Sequence, residues 1–133
     1  MNRDALIEAM EKKTLEIYNA SKEYQALGKR GIMVAQIRTQ DSPEKWESTA
    51  LAFGPLYNGN FSFDTTIHEK IAYTRRTGKD SGAPKEEVLG TESFWLGAVI
   101  SSDGKCICAF SGYEGEDDKL IAEAGIGEYE RLK

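Results

Sequence analysis

The sequence predicts an α+β domain, an antiparallel sheet with helices packed against it. Two observations carry this. Segments with apolar residues at helical spacing alternate with pairs of short aliphatic runs, in the order helix, strand, strand, helix, strand, strand, helix. Between the last two runs, Asp103-Gly104 is a strong signal for a tight antiparallel hairpin. At 133 residues the chain has the size of one domain, 1–133, without internal repeat or linker.

Over 4–27, Leu6, Met10, Ile17, Tyr18, Tyr24 and Leu27 recur near helical spacing among charged residues, so one long amphipathic helix is expected, with Gly28 as its stop. Residues 31–39 have the aliphatic density of a mostly buried strand, and Asp41-Ser42-Pro43 marks a turn. A second strand is expected over 46–53, before Pro55. Residues 64–77 read as a helix with Asp64 as N-cap, Ile67, Ile71 and Thr74 on one stripe, and Gly78 as the stop. The stretch 78–92 is too polar and Gly-rich for a strand, and Pro84 and Gly90 suggest one or two helical turns inside it.

Strands over 94–102 and 105–111 flank Asp103-Gly104. Pairing Ser102 with Lys105 sets Val99 opposite Cys108 and Gly97 opposite Phe110 on one face, and Ile100 opposite Ile107 and Ala98 opposite Ala109 on the other. Both faces are apolar. Helices are expected over one, and a further layer, a ligand or another subunit over the other. A last helix over 117–132 has Ile121, Ala124, Gly125 and Leu132 available to face the sheet.

Composition narrows the functional classes. Hydrophobic residues make up 40% and charged residues 29%, as in soluble globular chains, and no run approaches the ~20 apolar residues of a membrane span. The first residues alternate charged and apolar side chains and do not form the apolar core of a signal peptide, so a cytoplasmic address and no membrane partner are expected. A net charge of −5, from 17 basic and 22 acidic residues without a basic stripe, disfavours nucleic acid as a partner. Cys106 and Cys108 lie two apart on one strand face and cannot readily bridge each other. They are expected as buried free thiols, since a metal site there has only one histidine in the chain to complete it.

The turn, strand, Ser-Gly loop and helix over 103–125 resemble the carboxy-terminal signature of the GlcG/HbpS/PduO-C (haem-degrading domain) family. Ser111, Gly112, Gly115, Asp118, Ile121, Ala122, Ala124 and Gly125 fall on the pattern. Ala72-Tyr73-Thr74 is similar to the end of its second-helix motif, with Ile71 where a lysine is expected and Arg75 where an alanine is. The likeness spans about 65–126 and implies a profilin-like sheet, a homo-oligomer, and haem or a related tetrapyrrole as ligand at a subunit boundary.

Within that resemblance His68, the only histidine, is the candidate axial ligand of a haem iron, with Lys70 or Arg75 pairing with propionates. The plainer reading leaves His68 hydrogen-bonded locally at the polar edge of its helix. The Ser111-Gly112 loop enters a helix, where backbone N–H groups bind anions. Against this, Glu114, Glu116, Asp117 and Asp118 already complement the helix dipole, with Asp117 or Asp118 as a cap. Arg75-Arg76 reads as a carboxylate clamp or as a solvated helix end, and Trp46, Trp95, Phe61, Phe63 and Phe94 as walls of a flat-ligand pocket or as packing. Known nucleotide-binding and hydrolase motifs do not occur. The function expected is a homo-oligomeric binding module for haem, a tetrapyrrole or another small hydrophobic-anionic ligand, with haem degradation as the activity of an enzymatic form. The alternative is a scaffold or accessory subunit without a small ligand, its second apolar sheet face serving as an interface.

Overall fold

The structure, a computed structural model, describes residues 1–38 and 45–133; the turn expected at Asp41-Ser42-Pro43 lies outside the described residues. Asn2 caps helix α1 (Arg3–Ala20) by accepting the Ala5 N–H at 2.8 Å. The single helix expected over 4–27 is broken at Ser21. This residue is extended; its N–H meets the Tyr18 carbonyl and its Oγ caps the short α2 (Lys22–Leu27). A serine that bonds its neighbouring backbone competes with the helix ladder. The break lets Tyr24 enter the core.

Strands β1 (Ile32–Arg38) and β2 (Trp46–Ala52) pair antiparallel, followed by a small hairpin of β3 (Tyr57–Asn58) and β4 (Phe61–Ser62) that periodicity did not signal. Helix α3 (Phe63–Thr77) begins one residue earlier than expected, and its N-cap is Ser62, not Asp64: the Ser62 Oγ accepts the Thr65 N–H at 3.1 Å. Beyond Gly78, a 3-10 turn (Lys85–Glu87) follows Pro84, in keeping with the expected short helical piece. Arg76 ties this segment to α3 through Glu92 and the Glu87 carbonyl.

Strand β5 (Ala98–Ile100) is shorter than the run expected over 94–102, whereas β6 (Cys106–Ser111) is close to expectation. The register is the expected one, with Ala98 against Ala109, Val99 against Cys108 and Ile100 against Ile107. The turn differs. Pairing closes at Ser101 and Cys106, and Asp103 accepts the Lys105 N–H and the Ser101 hydroxyl, so side-chain bonds hold a wider loop than a two-residue hairpin. Helix α4 (Gly115–Leu132) ends the fold.

The sheet runs β2-β1-β6-β5, antiparallel throughout. On one face Met33, Ala35, Cys106, Cys108 and Phe110 pack with Met10 of α1 and Ile121, Ala122 and Ile126 of α4. Tyr18, Tyr24, Phe53 and Phe110 form an aromatic knot there, with ring centroids 4.9–5.9 Å apart. An alanine-sized side chain at Gly125 would approach the Cys108 Sγ to 2.5 Å and Thr14 to 3.0 Å, so glycine there lets α4 lie close to both sheet and α1. The other face (Ile32, Val34, Ala98, Ile107 and Ala109) is covered by Phe63, Ile67 and Ile71 of α3. Of the coverings expected for this second face, it is a further layer of the same chain, helix α3, that packs on it.

Candidate functional site

Helix α3 puts Phe63, Thr66, Ile67, Lys70, Ile71 and Thr74 on its buried face, so a lysine sits in the apolar stripe. Helix α4 does the same with an acid, burying Asp118 one turn before Ile121 and Ala122. These two side chains meet at the end of β6. The Lys70 Nζ lies 3.1 Å from the Asp118 Oδ2 and donates to the Phe110 carbonyl at 3.0 Å. Asp118 also accepts the Tyr113 N–H at 3.1 Å and a short hydrogen bond from the Tyr24 hydroxyl. Lys70 and Asp118 are each only 2% exposed.

Burial is the main influence on the ionisation of this cluster. It lowers the Lys70 pKa below the ordinary lysine value, with the Asp118 charge acting in opposition. It raises the Asp118 carboxyl above the usual aspartate value, against Lys70 and the hydrogen bonds from Tyr24, Lys70 and Tyr113. Tyr24 is pushed far up, first by burial and then by Asp118. Burial thus works against the charged form of both partners, while their mutual attraction supports it.

The pair lies at the base of a cleft of about 910 Å³, within the usual range for small-molecule sites. Phe61, Phe63, Phe94, Trp95 and Tyr113 supply aromatic walls, with Ser111, Leu96 and Gly115 beside them. Phe94 and Trp95 stack on each other at 5.2 Å, and Trp95 is 51% exposed. At Gly97, φ is +130° and an added Cβ would come within 2.7 Å of the Lys70 Nζ and of the Phe110 carbonyl. Glycine therefore lets the backbone of residue 97 pack directly against the amine, where no side chain has room.

Arg30 supplies a half-buried positive group at the cleft wall. Its backbone N–H donates to the Tyr18 hydroxyl at 2.9 Å, and its Nε donates to the Gly112 carbonyl at 2.6 Å. Its guanidinium lies 5.4 Å from the Phe63 ring centre and 5.7 Å from that of Tyr113. Among the described residues no carboxylate pairs with it. An aromatic-flanked guanidinium with its outer edge free is suited to bidentate recognition of a carboxylate or phosphate.

Of the site residues proposed from sequence, Lys70 and Ser111 line this cleft. Gly112 stands behind it, holding Arg30 through its carbonyl. His68 and Arg75 are elsewhere on α3. His68 is 57% exposed in its side chain, with Nδ1 2.8 Å from the Asp64 carbonyl, in a separate depression with Glu69 and Thr91. Arg75 lies over the Trp46 ring at 5.7 Å, and neither residue lines the cleft. A haem held in this cleft through His68 therefore does not fit. Asp118, read from sequence with Asp117 as a candidate cap, is instead the buried partner of Lys70; the N-cap position of α4 is Glu114, which makes no side-chain cap bond. Arg30, Tyr24 and Tyr113 were not singled out from sequence. The available signal was a charged residue in each of two apolar stripes, Lys70 and Asp118.

Cys106 and Cys108 are buried free thiols facing α1 and α4, away from the cleft. No group of three or more potential metal-ligating side chains occurs among the described residues, and no described helix is long and apolar enough to cross a membrane. No protein-family model matches the chain, and comparison with curated proteins finds no match.

Proposed function

We propose that this chain is a small binding module whose cleft accepts a flat, hydrophobic molecule bearing an anionic group. The observation that carries this reading is Arg30, stacked against Phe63 and Tyr113 at an aromatic-walled cleft without a carboxylate partner among the described residues. Aromatic walls contribute apolar contact over the ring faces, while the guanidinium selects and orients the acid. Tetrapyrroles, haem among them, belong to this ligand class; here they would be held by ring contacts and Arg30, with no axial bond from His68.

The test is a titration with protoporphyrin IX and, in parallel, haemin, followed by tryptophan fluorescence and absorbance. Saturable binding of one ligand per chain is expected, weakened in Arg30→Ala and unchanged in His68→Ala. Non-saturating changes shared by wild type and Arg30→Ala would remove the reading. Exposed Tyr57, Phe61 and Trp95 favour a second one, an accessory subunit or homo-oligomer in which a partner's side chains fill the cleft. Sedimentation of the free chain separates the two: a ligand module keeps its cleft open, whereas self-association through this face weakens in Trp95→Ser.

A further inference from the structure

We infer that Lys70 captures carbonyl compounds: its amine, on the floor of the cleft, condenses with a flat aromatic or conjugated aldehyde whose anionic group meets Arg30. This goes beyond ligand binding and uses the same cleft. A lysine and an aspartate serving only the core would be sealed from any cavity, yet both line this one. The Lys70 Nζ makes two hydrogen bonds, to the Phe110 carbonyl and Asp118. An ammonium carries three N–H groups, and among the described residues no third acceptor meets it. A molecule seated against the aromatic walls lies beside Lys70, and with only 2% of that residue exposed the side chain must turn toward the cleft for its amine to meet a carbonyl.

Imine formation requires a neutral amine and an acid to expel water. Burial favours both at this pair, since it disfavours the ammonium of Lys70 and the carboxylate of Asp118 together. The lone pair of Nζ attacks the carbonyl carbon as the C=O π electrons move to oxygen. One N–H proton passes to that oxygen, giving a carbinolamine. Asp118 in its acid form then protonates the hydroxyl, which leaves as water while the nitrogen lone pair forms the C=N bond. The products are one water and a protonated imine beside the Asp118 carboxylate, with no oxidant or reductant required. Tyr24 stabilises that carboxylate through its hydroxyl.

The test treats the full chain at neutral pH with 4-formylbenzoate, a flat aromatic aldehyde bearing a carboxylate, and sodium cyanoborohydride to reduce any imine. Intact mass and peptide mapping give the extent and position of labelling. The expected result is one adduct per chain, at Lys70, formed ahead of exposed Lys22, Lys79 and Lys85. It should be suppressed by terephthalate, which has the same shape but no aldehyde. Lys70→Arg should lose that adduct while leaving labelling of the surface lysines unchanged. Labelling of wild type that spares Lys70, or reaches it no faster than those three lysines, overturns the inference. The porphyrin titration keeps the failures apart: saturable porphyrin binding without a Lys70 adduct removes only the carbonyl chemistry, whereas loss of both removes the binding reading as well.

Discussion

Replacing Lys70 by methionine tests the central pair, because it keeps most of the side-chain volume and removes the charge and two hydrogen bonds. Asp118 then keeps Tyr24 and the Tyr113 N–H but loses its ion partner. Breaking a buried pair on one side costs about 3–5 kcal/mol, a large part of the roughly 5–15 kcal/mol that stabilises an average domain. The loss should depend on pH, and its sign follows from Asp118. Burial already raises that carboxyl above its ordinary 3.8, and Lys70 is the largest influence opposing the rise. In Lys70→Met the folded pKa therefore rises further, and between the unfolded and folded values the native state binds more protons than the unfolded state. Stability then falls as pH rises through that window, by up to about 1.4 kcal/mol per pH unit, and is recovered on acidification toward the unfolded value. Urea unfolding followed by far-ultraviolet circular dichroism, at pH about 7 and about 5, compares variant with wild type. A destabilisation under about 1 kcal/mol, or one of equal size at both pH values, would refute the reasoning.

The remaining predictions concern the opposite sheet face. Gly125→Ala forces a methyl group to within 2.5 Å of the Cys108 Sγ and 3.0 Å of Thr14; overpacking of this kind costs about 1–3 kcal/mol, read from the midpoint of urea unfolding. Burial pushes the Cys108 thiol up to about 12 and Cys106 higher still. Thiolate is the reactive form, so both cysteines should react very slowly with a disulfide reagent in the native protein and readily once urea unfolds it. Rapid native reaction of either would contradict their placement against α1 and α4.

Elements whose signal is local were legible in the sequence. The Asp103-Gly104 turn signal set the β5–β6 register, and the pairing of Val99 with Cys108 holds even though the turn closes differently. Gly78 and Pro84 bounded α3 and the 3-10 turn through backbone preferences that need no distant partner. The break at Ser21 was less legible, because apolar spacing continues across it and only the competing hydrogen bonds of one serine mark it.

The sequence by itself determined the α+β class, the strand register and the helical stripes, since these depend on residues a few positions apart. Tertiary structure alone decided which charges share a desolvated site. Lys70 is 48 residues from Asp118, and Tyr24 is 94 from it, so no spacing rule connects them. It also decided that α3 covers the second sheet face and leaves His68 and Arg75 outside the cleft. The physical reason is that hydrophobic period reports which face of an element is buried, while the partners, charge and protonation of a buried polar group depend on what the folded chain brings against it.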